Sequence, residues 1–115
     1  MSIQLKRAYD PLGNDGYRVL VDRLWPRGIP KEELQADEWL REVAPTDDLR
    51  KDFHKGRLSW GEFRRGYLGE LKQQRDRLRP LAERATGETF SLLFCANDRA
   101  RNNSVVLRQY LAMLG

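Results

Sequence analysis

The sequence predicts a small three-layer α/β domain, a central and mostly parallel sheet flanked by helices. Three observations carry that expectation. Two apolar runs, Val19-Leu20-Val21 and Thr89-Phe90-Ser91-Leu92-Leu93-Phe94, read as central strands covered on both faces. A long helical stretch separates them, as a crossover between parallel strands requires. Strands and helical segments alternate along the rest of the chain. With 115 residues, the chain 1–115 is read as one domain able to bury a continuous core.

The elements follow in order. Ile3 to Arg7 alternates apolar and polar residues, the period of a strand with one buried face. Asp10-Pro11-Leu12-Gly13-Asn14-Asp15-Gly16 is dense in turn formers and reads as a loop. The shortness of this connection leaves a hairpin open, which would make the sheet mixed. Tyr17 to Asp22 is the second strand. Pro26 and Pro30 stiffen the loop that follows, and Lys31-Glu32-Glu33-Leu34 suits a helical turn with Pro30 at its tolerated start.

Asp37 to Val43 is ambiguous between strand and helix, because Trp39 and Val43 share a helical face in a very short segment. Thr46 suits a cap, and Asp47 and Asp48 favour the positive end of a helix that closes near Phe53, before Gly56. Ser59 caps the longest element, in which Trp60, Phe63, Tyr67, Leu71 and Leu78 recur at helical steps. Pro80 is expected to end or kink it, with a second short helical piece running to Ala85. Thr86-Gly87-Glu88 is a turn, and Thr89 to Phe94 is the third strand. Cys95 to Ser104 is a polar loop, and Val105, Val106, Leu107, Tyr110, Leu111 and Leu114 complete a C-terminal helix.

Composition narrows the function classes. Hydrophobic residues make up 40% and charged residues 33%, with 21 Lys+Arg against 17 Asp+Glu, so the chain is too apolar and too evenly charged for disorder. A net charge of +4 permits anionic partners without requiring them. One cysteine excludes an intramolecular disulfide and a multi-cysteine metal site. His54 and Cys95 lie far apart in sequence and make a poor ligand set, so no metal is expected. Without a glycine-rich phosphate loop, no nucleotide cofactor is expected either. The first residues carry no signal-peptide run and no apolar stretch is long enough to span a bilayer, so the expected location is the cytoplasm, away from membranes. Oligomeric state leaves no signature in the sequence.

Chemistry is expected beyond the carboxyl ends of the strands, where open parallel α/β sheets bind ligands. Asp22 and Arg23 stand at one such end and Cys95 at another. Arg23, Arg27, Arg99 and Arg101 would then gather positive charge beside the start of the last helix, which itself attracts anions. The expected site is a pocket for a small anionic ligand between loops 22–28 and 95–104. Asp22 would orient an arginine or act as a base, and Asp98, Asn102 and Asn103 would help hold the ligand. The alternative is that Asp22 pairs with an arginine and caps a loop, Trp25 plugs the core and the arginines are simply solvated.

Cys95, five residues and Arg101 also repeat the spacing of the phosphate-binding loop of cysteine phosphatases and arsenate reductases. That chemistry needs a thiolate at a helix N-terminus and an arginine on the oxyanion. The loop lacks the glycines that aim successive N–H groups inward, and a free cysteine is often a small buried hydrophobe. Whether the site is catalytic therefore stays open, with Cys95 and Asp22 as its weak candidates. Two further readings compete: nucleic-acid binding by Arg64, Arg65, Arg75, Arg77 and Arg79, interrupted by Glu62, Glu70 and Asp76, and protein interaction through an exposed Trp-Pro-Arg loop.

The residues also carry a family resemblance. Tyr9-Asp10, Asp15-Gly16-Tyr17-Arg18-Val19-Leu20-Val21-Asp22-Arg23-Leu24-Trp25-Pro26-Arg27-Gly28, Trp39-Leu40 and Ala44-Pro45 resemble the YeaO-like family, within domain of unknown function 488. Leu49-Arg50, Phe53, Trp60, Phe63, Tyr67, Glu70-Leu71, and Leu92-Leu93-Phe94 through Asp98 to Asn103 and Leu107 agree, so the likeness covers nearly the whole chain. It implies a compact bacterial and archaeal α/β domain without an established activity. It also implies that alanine often stands where this chain has Cys95.

Overall fold

A computed structural model describes residues 3–114. Four strands, β1 (Ile3–Arg7), β2 (Tyr17–Leu20), β3 (Glu38–Trp39) and β4 (Phe90–Phe94), form one sheet in the order β1-β4-β2-β3. Every pairing is parallel. The hairpin left open between the first two strands does not form, because β4 lies between them. Residues 8–16 carry the chain back instead. That return covers about 20 Å, back along one short strand and across two strand spacings, and a nine-residue loop reaches about 30 Å when extended.

Gly16 permits the tight entry into β2. Its φ is 66°, and a Cβ there would lie 2.1 Å from the Thr89 carbonyl oxygen at the start of β4. No other residue fits that approach.

Among the described residues the α-helices are α1 (Lys31–Leu34), α2 (Asp47–His54), α3 (Trp60–Gln73), α4 (Arg75–Gly87) and α5 (Asn103–Leu114). Strand alternation sorts the core onto two faces. Val19, Val21, Phe90 and Leu92 meet Phe63, Tyr67 and Leu71 of α3, Leu78 and Leu81 of α4, and Leu107 and Leu111 of α5. Leu20 and Leu93 face the other way, toward Ala8 and Leu34. That second face is covered thinly, by one-turn α1 and by Trp25, Ile29, Ala36 and Trp39. The third layer of the α/β arrangement is therefore mostly loop.

Local chemistry explains the boundaries. Thr46 Oγ1 accepts the Leu49 N–H, and Ser59 with Glu62 forms a reciprocal capping box. The ambiguous segment resolves into β3 followed by a 3-10 turn, Arg41–Val43. Trp39 decides it, since its Nε1 donates to the Asp22 carbonyl at 2.7 Å and its ring packs edge-on against Trp25. The long helix breaks at Gln74, not at Pro80. Gln74 Nε2 donates to the Glu42 carbonyl at 3.3 Å, while Pro80 lies inside α4. The Asp76 carbonyl that Pro80 leaves without a donor belongs to an exposed residue, where water can serve it. Among the described residues no helix is long and apolar enough to cross a membrane.

Candidate functional site

Parallel pairing of β2 with β4 sets Leu20 beside Leu93, and the Val21 N–H extends the ladder to the Leu93 carbonyl at 3.1 Å. One step further, the Asp22 side chain takes over. Its Oδ2 accepts the Cys95 N–H at 3.0 Å, and its Oδ1 accepts Asn103 Nδ2 at 3.0 Å. Asn103 Nδ2 also donates to the Val21 carbonyl at 3.0 Å. One carboxylate thus joins the ends of two strands and the start of α5. Asp22 is not ion-paired to an arginine among the described residues, so the expected orientation of an arginine by Asp22 is not what the geometry shows.

The next residues are tied down in turn. The Arg23 guanidinium donates to the Ala44 and Pro45 carbonyls at 3.1 and 3.3 Å. Trp25 Nε1 donates to the Ile29 carbonyl at 2.7 Å, and the Tyr9 hydroxyl donates to the Arg27 carbonyl at 3.0 Å. Trp25 is half-buried against Trp39 and does not stand out as a freely exposed contact residue.

The loops 22–28 and 95–104 converge. They open onto a cleft of 660 Å³, into which α2 also projects Arg50, Phe53 and His54. Asp22, Arg23, Arg27, Cys95, Asp98, Arg101, Asn102 and Asn103 all line it. Arg99 does not. Its guanidinium forms a two-point pair with Asp10, at 2.7 and 2.9 Å, and this pair holds the Asp10 carboxyl down at about 2. Arg7 anchors the same segment from the end of β1, donating to the Cys95 and Ala96 carbonyls and to Asn97 Oδ1.

Three backbone amides of the second loop, those of Ala100, Arg101 and Ser104, are occupied by its own side chains. Asp98 Oδ1 accepts from the Ala100 and Arg101 N–H groups at 2.9 and 3.0 Å. Asn102 Oδ1 accepts from the Ser104 and Val105 N–H groups at 3.0 and 3.4 Å, capping α5. Burial pushes the Cys95 thiol up to about 12, and the neighbouring Asp22 charge adds to the effect. The Cys-x5-Arg spacing is present, but the low-pKa thiolate is not.

Available positive charge comes from fewer residues than expected. Arg27 and Arg101 are exposed and have no side-chain partner among the described residues. Arg50 has a buried Nε without an acceptor and only a 3.4 Å contact to Asp47. On the helical face, Arg64 donates to Gln109 and Arg77 to Gln74, while Arg84 pairs with Glu88 and lies over the Tyr17 ring. Among the described residues no cluster of three metal-ligating side chains occurs.

Sequence reasoning missed Arg7, Tyr9, Asp10, Arg50 and Phe53, and it weighed His54 as a metal ligand. The first three follow once β1 is known to run parallel with β4, because its carboxyl end then opens on the same edge. The α2 residues carry no local signal.

The family model described as the inactive DUF488-N3 subclade matches residues 2–114. The chain is 45% identical over 115 residues to the uncharacterised protein YeaO of Escherichia coli (strain K12), covering 99% of this chain and all of that one. It is 34% identical over 113 residues to the uncharacterised proteins Rv3073c of Mycobacterium tuberculosis (strain ATCC 25618 / H37Rv) and Mb3100c of Mycobacterium bovis (strain ATCC BAA-935 / AF2122/97), covering 95% of this chain and 92% of each relative. No solved structure matches.

Proposed function

The chain belongs to the YeaO-like family of domain of unknown function 488, and from that premise we propose that it binds a small anionic molecule in the cleft between loops 22–28 and 95–104, without performing chemistry on it. The observation that carries the reading is convergence. Arg23, Arg27, Arg50 and Arg101 come from separate stretches of the chain and line one cleft. Arginine in such a setting suits two-point grip on phosphate, sulfate or carboxylate.

Two features favour binding over catalysis. The Cys95 side chain is held as a protonated thiol, and Asp22 is engaged by two donors of the chain itself. The word inactive in the description of the matching family model agrees with both. The reading places the protein in the cytoplasm, where a lone thiol stays reduced.

Thermal-shift screening of phosphorylated, sulfated and carboxylated compounds tests it. A ligand at a hundredfold over its Kd should raise stability by about 3 kcal/mol. The rise should weaken with salt and vanish in the double variant Arg27→Ala/Arg101→Ala. A flat screen, or a shift that the double variant leaves intact, would overturn the reading.

A further inference from the structure

Resting on that anion-binding reading, we infer that the ligand carries an apolar body behind its anionic group: an amphipathic aryl or alkyl acid, not inorganic phosphate or a sugar phosphate. The cleft is chemically divided. Arg27, Arg50 and Arg101 supply charge, while Tyr9, Leu24 and Phe53 supply apolar and aromatic surface. Charge alone would account for a bound oxyanion. It would not account for the second set.

Leu24 is 63% exposed and Tyr9 44% exposed, two of the four large apolar side chains that the described residues leave in water. Both line this cleft. Apolar side chains scattered singly on a surface are ordinary, but two beside one basic cleft mark a binding surface. Their positions are also held. Trp25 Nε1 on the Ile29 carbonyl closes the loop that carries Leu24, and the Tyr9 hydroxyl grips the Arg27 carbonyl across from it. A preorganised apolar face loses little conformational freedom when it is covered. The cleft's 660 Å³ lies in the range of pockets that enclose drug-sized molecules and far exceeds a tetrahedral oxyanion.

Isothermal titration of the full chain with naphthyl phosphate, naphthoate, glycerol phosphate and neutral naphthol tests the inference. Naphthyl phosphate or naphthoate should bind at least about tenfold more tightly than glycerol phosphate, the gain expected from covering one exposed aliphatic face. Leu24→Ser should weaken the aryl anions about fivefold while leaving glycerol phosphate unchanged. Arg101→Ala should weaken all three anions. If glycerol phosphate matches naphthyl phosphate and Leu24→Ser changes neither, the anion site stands and the apolar body is refuted. If naphthol matches naphthyl phosphate, the apolar face stands and the anion site is refuted. If nothing binds, both are refuted.

Discussion

Asp22→Ala removes a carboxylate shared by β2, β4 and α5. The Cys95 N–H loses its acceptor at 3.0 Å, and Asn103 Nδ2 loses one of two, keeping the Val21 carbonyl. A hydrogen bond to a charged group contributes about 1.5–3 kcal/mol, and Asp22 is only half-buried, so water entering from the cleft recovers part of the loss. The expected destabilisation is about 2–4 kcal/mol. For a domain of this size that corresponds to a fall in Tm of roughly 8–16 °C. Asp22→Asn should cost about 1–2 kcal/mol, because one amide oxygen must serve two donors while its NH2 group faces one of them. Urea unfolding with Asn103→Ala and the double variant measures the coupling directly, expected near 1 kcal/mol. If Asp22→Ala stays within about 0.5 kcal/mol of the parent, the brace does not hold the strand ends together.

Other outcomes follow from single contacts. Gly16→Ala should cost about 3 kcal/mol or more, since its Cβ would meet backbone at 2.1 Å, whereas Gly28→Ala, at φ 80° with nothing within 4 Å, should cost only about 1–2 kcal/mol; equal losses in urea melts would refute the packing account. Asp10 titrates at about 2 in the folded chain against an ordinary 3.8, so its pairing with Arg99 stabilises above that ordinary value and is lost as pH falls toward 2. The deficit of Asp10→Asn should therefore be present at neutral pH, shrink below the ordinary 3.8 and disappear as pH falls through about 2, and a pH-independent deficit would contradict the pairing. With its thiol raised to about 12, native Cys95 should react slowly with iodoacetamide at pH 8 and rapidly in urea; fast native alkylation would mean a thiolate is available after all.

The sequence revealed most where one local period decided the structure. The alternation of Ile3 to Arg7 fixed β1, and the Ser59 cap with its helical apolar steps fixed α3. It was silent where the decisive partner lay far along the chain. The two-residue β3 exists because Val19 and Leu20 pair with Glu38 and Trp39, and the helix break at Gln74 coincides with a bond to residue 42. The helix does not end at Pro80, because the carbonyl that a proline frees can be served by solvent on an exposed face. The candidate site shows the same division. The strand-end rule found both loops, since parallel order follows from apolar runs and a long crossover. It also swept in Arg99, whose partner Asp10 stands 89 positions away and could not be anticipated.

Polar residues at the strand ends therefore divide by what they satisfy. Asp22, Asp98, Asn102 and Asn103 serve donors and acceptors of the chain itself, and they keep two strand ends and a helix start in register. Arg27 and Arg101 have no such duty among the described residues. Arg23, Arg27, Arg50 and Arg101 contribute four positive charges to the cleft wall and Asp22 and Asp98 two negative ones, leaving a balance of +2 from these six side chains. Both carboxylates already accept two hydrogen bonds each, so their charge is directed into the scaffold while Arg27 and Arg101 face solvent. A nucleophilic site would need positive charge to prevail at the sulfur, whereas here burial and Asp22 raise the thiol by more than the nearby Arg7 lowers it. Asp22 beside Cys95 works against a thiolate for the same reason that it stabilises the fold: a fixed negative charge accepts the amide and disfavours a second anion at the sulfur.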